Sequence, residues 1–120
     1  MIVSVSSWRN AEILASIKNT YFQADPGEEY SYSNIGYGIL GLALSRAADT
    51  PFMDLVEARI FQPLNMTSST FVIGDDLEPL LTSGYVYSDG VINGDAPLHE
   101  HSGRGYKIPN GGVYSTVTDL

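Results

Sequence analysis

The sequence predicts an α+β chain, mainly helical, with short hairpins following the helices. Three observations predict it. Apolar residues recur at helical spacing through the first half, twice beside good start signals. From residue 64 onward turns and short apolar runs replace that spacing. A hairpin signal with a two-residue turn then appears at 85–92.

The first helix is expected over residues 7 to about 22, with Ser7 as its N-cap and Leu14, Ile17 and Tyr21 on one face. Asp25-Pro26-Gly27-Glu28 reads as a turn, because proline presets φ and glycine accepts a positive value. Tyr30-Ser31-Tyr32-Ser33-Asn34 then leads into Ile35–Ala48, whose apolar residues nearly encircle a helix, the pattern of a buried one. Gly36, Gly38 and Gly41 each disfavour helix by roughly 1 kcal/mol against alanine. Close approach by a neighbouring backbone is the expected return. Thr50 as N-cap and Pro51 at the first helical position announce a third helix, which Pro63 should stop. Tyr85–Ser88, Asp89-Gly90 and Val91-Ile92 spell a hairpin closed by a type I′ turn. Residues 93–112, rich in Gly, Pro and Asn, read as an ordered loop. Thr116-Val117-Thr118-Asp119 has the form of a capping box, announcing a helix whose apolar face would start at Leu120.

Composition narrows the function classes. Fourteen acidic and six basic residues give a net charge of −8, and the basic residues stand singly. Lys and Arg supply most non-specific phosphate affinity, so nucleic acid and anionic membrane surfaces are poor partners. The absence of cysteine removes disulfides, thiolate catalysis and cysteine-ligated metals together. No run approaches the ~18–20 apolar residues of a membrane span, and Met1–Val5 lacks the pattern of a signal peptide. These features leave the compartment open. A 43% hydrophobic and 17% charged composition belongs to a globular chain rather than a disordered one.

Catalytic patterns are sparse. Gly-x-Ser-x-Gly is absent, and so is Ser-x-x-Lys, since Ala15 and Arg104 stand three residues before Lys18 and Lys107. His99-Glu100-His101 would share a face on a strand, with Asp95 or Asp89 as a further ligand. But catalytic zinc needs three protein ligands with a fixed outer shell, and a polar loop with two solvated histidines is the plainer reading. The run from Asp89 to Glu100 fails the calcium-loop template at Val91. Asn65-Met66-Thr67 is a glycosylation sequon, relevant only to a secreted eukaryotic protein. Eight tyrosines are compatible with a sugar-binding face and with ordinary half-buried positions. Tyr32 and Asn34, two residues apart at a helix entrance, can project into one cleft. A phenol, ordinarily titrating near ~10, handles protons near neutrality only beside a cation. On residue type alone, a structural tyrosine and an asparagine cap is the plainer reading.

The surrounding pattern alters that balance. Pro26-Gly27-x-x-Tyr30-x-Tyr32-Ser33-Asn34-x-Gly36-Tyr37-x-x-Leu40-Gly41 resembles the second-motif region of the serine β-lactamase-related family. That family groups class C β-lactamases, penicillin-binding DD-peptidases and related esterases. The likeness continues through Ile60-Phe61-Gln62-Pro63-Leu64-Asn65-Met66-x-x-x-Thr70, then Gly84-Tyr85, and ends in Gly111-Gly112-Val113-Tyr114-Ser115-Thr116-x-x-Asp119-Leu120. Four segments in register over about residues 10–120 make a specific signal.

The resemblance implies a β-lactamase/transpeptidase-like fold, of which this chain is the mainly helical lobe without most of the central sheet. It implies acyl transfer through a serine ester on a small-molecule or peptide substrate, with no cofactor and no metal. Tyr32 maps to the catalytic tyrosine, whose cation is the lysine of Ser-x-x-Lys, and Asn34 to the asparagine that holds that lysine or a substrate amide. Gly111 and Gly112 match a family loop and read as structural. The third motif belongs far downstream, so His101-Ser102-Gly103 imitates it out of order. Asn65 stands where the family commonly has glycine, a mild change because asparagine tolerates left-handed backbone. Residues 1–120 are therefore expected to be the central segment of a larger serine hydrolase domain. By itself such a segment is inactive for want of the nucleophile. The alternative is a non-catalytic binding module that kept the fold.

Overall fold

The computed structural model describes residues 10–93 and 104–120. In chain order it holds α1 (Asn10–Ile17), α2 (Asn34–Ala48), α3 (Phe52–Val56), a π-helical turn (Glu57–Phe61) and a 3-10 turn (Glu78–Leu80). The hairpin strands β1 (Val86–Ser88) and β2 (Val91–Asn93) follow, then a second 3-10 segment (Gly105–Asn110). The mainly helical lobe with a short hairpin matches the expected fold class.

α1 ends at Ile17, five residues before the expected limit. The hydroxyls of Ser16 and Thr20 donate to the carbonyls of Ile13 and Ile17, both at 2.7 Å. Such local bonds compete with helix propagation, and Tyr21 and Phe22 are left exposed. Ser7 lies outside the described residues. The Asp25–Glu28 turn forms as expected: Glu28 N donates to Asp25 O at 3.1 Å and Gly27 has φ of 90°.

α2 is capped by Ser33, not by Asn34. Ser33 sits in extended backbone, with its Oγ accepting from Gly36 N at 3.0 Å, and Asn34 is the first helical residue. The helix is also less buried than its composition suggests. Only its glycine face is covered: Gly38 and Gly41 are buried, while Ile35, Tyr37, Leu40 and Leu44 remain exposed. The covering element is the Gly105–Asn110 segment, where the sequence reads as loop. A Cβ on Gly38 would lie 2.8–2.9 Å from the Tyr106 ring and carbonyl, and one on Gly41 would overlap the Pro109 ring. The expected close approach therefore exists, made by a 3-10 turn and its side chains.

α3 starts one residue later than expected. Pro51 is its cap residue, and Thr50 instead donates its hydroxyl to Ala48 O at 3.0 Å. Beyond Val56 the helix widens, with Gln62 N donating to Glu57 O at 2.9 Å and Met66 N to Phe61 O at 2.8 Å. Pro63 has no N–H for Arg59 O, and its ring would collide with that carbonyl in a regular helix, so the wider turn accommodates it. Asn65 closes this region at φ of 56°, the left-handed backbone in which asparagine substitutes for glycine. Phe71 stacks on Phe61 at 5.7 Å between ring centroids and meets Phe52 edge-on at 6.0 Å, tying the following loop to α3.

The hairpin has the expected register. Ser88 opposes Val91, Tyr87 opposes Ile92, and Asp89 and Gly90 both take positive φ, as a type I′ turn requires. The Thr116–Asp119 segment forms a turn rather than a capping box. Its Asp119 carboxylate reaches a different segment, accepting from Ser68 N at 2.8 Å and from Ser69 Oγ at 2.7 Å. Beside it Thr70 and Tyr114 exchange backbone hydrogen bonds at 2.9 and 2.8 Å.

Candidate active site

Tyr32 and Asn34 flank the Ser33 cap at the entrance to α2. Because Ser33 satisfies Gly36 N, neither neighbour is consumed in capping. The Tyr32 side chain is 77% exposed, and Asn34 is exposed as well. Among the described residues neither side chain has a hydrogen-bond partner, and no bond joins the two. Both are thus available to a ligand or to a further part of the protein. Among the described residues no lysine or serine side chain is hydrogen-bonded to either of them.

Asn34 is fixed through its backbone. Asn110 Nδ2 donates to Asn34 O at 3.0 Å, across 76 residues of sequence. The loop that carries Asn110 is itself constrained, since Gly111 takes φ of 120° and Gly112 N donates to Ile108 O at 3.0 Å. A Cβ on Gly112 would sit 2.7 Å from that same carbonyl, which accounts for glycine at this position. The glycine pair is structural, as expected, and shapes the turn after Asn110.

The same loop continues into Tyr114 and Ser115. Ser69 donates to Asp119 and lies 2.8 Å from Ser115 Oγ, so Ser115 is the donor between the two hydroxyls. The segments around residues 34, 68–70 and 110–119, separate in sequence, thereby form one connected unit. Sequence reading missed Tyr106, Asn110 and the long reach of Asp119. The only available signal was the run of Pro, Asn and Gly at 109–112, which does not indicate what it packs against.

His99-Glu100-His101, Asp95 and the His101-Ser102-Gly103 triplet lie outside the described residues. Among the described residues no cluster of three or more potential ligands could hold a metal ion. No described helix is long and apolar enough to cross a membrane.

Comparison with known proteins places this geometry. The chain is 34% identical over 89 residues, 74% of its length, to beta-lactamase-like protein 2 of Dictyostelium discoideum. It superposes on a β-lactamase/D-alanine carboxypeptidase from Yersinia pestis over 98% of its length, with a TM-score of 0.68 and 30% identity. Superposition on a D-amino acid amidase from Ochrobactrum anthropi covers 99% of the chain, with a TM-score of 0.68 and 25% identity. The chain spans 16% of the Dictyostelium protein's length, and 30% and 35% of the two solved chains. The fold is thus β-lactamase/transpeptidase-like. With the family profile also matching residues 3–120, the chain belongs to the Beta-lactamase family.

Proposed function

We propose that residues 1–120 form the central, Tyr-x-Asn-bearing part of a serine hydrolase domain that works through an acyl-enzyme. Its relatives and structural neighbours include enzymes named as a carboxypeptidase and an amidase, both of which transfer an acyl group to water. The observation that carries the reading is the free presentation of Tyr32 and Asn34 on either side of a serine that does the capping.

Tyr32 is assigned to proton transfer, taking the nucleophile's proton or returning one to the leaving group. Asn34 is assigned to holding the catalytic lysine or a substrate amide, since its side chain offers both a donor and an acceptor. The nucleophilic serine and its lysine come from a Ser-x-x-Lys segment outside these 120 residues. The substrate class is a small β-lactam, a D-Ala-D-Ala-type peptide or a simple ester.

Turnover of nitrocefin and p-nitrophenyl acetate tests this. The 120-residue chain alone is expected to be inactive, because covalent catalysis needs the serine. The full-length protein is expected to turn over at least one probe, with Tyr32→Phe lowering kcat by about 10²–10⁴-fold. Rapid turnover by the 120 residues alone, abolished by Tyr32→Phe, would overturn the division of roles. A full-length chain without Ser-x-x-Lys would instead establish the non-catalytic binding module.

A further inference from the structure

We propose that Asn110 is a positioning residue for the Tyr32–Asn34 pair, acting through the backbone carbonyl of Asn34; this rests on the roles assigned above. Asn34 opens α2, so its carbonyl belongs to the first helical turn, and the orientation of that turn sets where the Asn34 side chain points. The other bonds of this turn are local: Ser33 Oγ accepts from Gly36 N, and Tyr37 N donates to Ser33 O. They shape the turn without anchoring it. The bond from Asn110 Nδ2 to Asn34 O is the one hydrogen bond among the described residues that ties this turn to a distant segment.

The anchor is built to be rigid. Tyr106 is buried against Gly38, and Pro109 fills the notch left by Gly41, seating the Gly105–Asn110 segment on α2 one and two turns beyond Asn34. Gly111 and Gly112 then turn the chain sharply, with Gly112 N bonded back to Ile108 O. Asn110 is thus held from both sides, with a side-chain donor directed at a group that can only accept. An aspartate of the same shape would set oxygen against oxygen at this position, reversing attraction into repulsion. Asn34 and Tyr32 flank Ser33 in three consecutive residues, so displacing the turn moves both.

The test uses the full-length protein with p-nitrophenyl acetate. Asn110→Asp is expected to lower kcat at least ~10-fold with KM nearly unchanged, since small misplacements of catalytic groups are costly. Asn110→Ala, which removes the bond without repulsion, is expected to lower it less. In a Tyr32→Phe background, Asn110→Asp is expected to cost clearly less than in the wild type, because one of the two groups it positions is already removed. Wild-type kcat in Asn110→Asp, or full additivity with a crippled Tyr32→Phe, overturns the proposal and leaves the assignment of Tyr32 standing. A fully active Tyr32→Phe overturns that assignment instead. In that case, or if the protein turns over no ester, fluorotyrosine labelling decides for Asn110. The ¹⁹F resonance that Tyr32→Phe removes is expected to shift in Asn110→Asp and, more weakly, in Asn110→Ala. An unmoved resonance overturns the positioning role.

Discussion

Ser33 does a job that keeps its neighbours free. Its hydroxyl satisfies one of the orphan amides at the start of α2, so Asn34 enters the helix with its side chain unspent. Replacing Ser33 by alanine leaves Gly36 N without this partner and is expected to destabilise the protein by about 1 kcal/mol, whereas aspartate, also a good cap, should retain most of the stability. Urea unfolding checks both; equal stability of the alanine variant would show that the cap is redundant. Among single residues, legibility tracks how local the cause is. The positive φ of Asp89 and Gly90, and that of Gly27, follow from dipeptides whose preferences need no partner. The choice of Ser33 over Asn34 as cap is a competition between two good capping residues one position apart. Local preference alone does not separate them.

At the scale of elements, α2 was legible as a helix, but its environment was not. Its run of apolar residues suggests burial on every side, yet the side that is covered is the one without side chains. Glycines at 38 and 41, one turn apart, make a shallow trough that accepts Tyr106 and Pro109 from residues 105–110. That relation spans more than sixty residues, and no local pattern encodes it. The same holds for Asp119, whose sequence context announces a helix start while its carboxylate binds Ser68 and Ser69. The trough makes a prediction against helix propensity. Alanine at Gly41 gains roughly 1 kcal/mol of helix preference, but its Cβ would occupy the space of the Pro109 ring, and overpacking costs typically ~1–3 kcal/mol. Gly41→Ala is therefore expected to lower stability, and Gly38→Ala likewise, because Tyr106's ring and backbone carbonyl block it. A raised melting temperature in either variant would show that the 105–110 segment lifts away from α2 at little cost.

For the whole molecule, the decisive quantity is surface. Ile35, Leu40 and Leu44 on α2, Tyr21 and Phe22 after α1, and Val86, Tyr87, Val91 and Ile92 of the hairpin lie open to solvent. Among the described residues the buried apolar side chains are few, with Ile13, Phe61 and Tyr106 foremost. At ~25 cal/mol per Å² of apolar surface, leaving such a face in water forfeits several kcal/mol, comparable to the entire net stability of a small domain. The fold recognised here is therefore expected to be marginal as 120 residues alone. The isolated chain should bind 8-anilinonaphthalene-1-sulfonate strongly, self-associate as concentration rises, and melt without a sharp cooperative transition. The acidic excess of the chain slows that association at low salt, so screening should promote it. A monodisperse monomer with a sharp melt and no dye binding would show that the chain closes its own core, and that the open α2 face is not how it exists in solution.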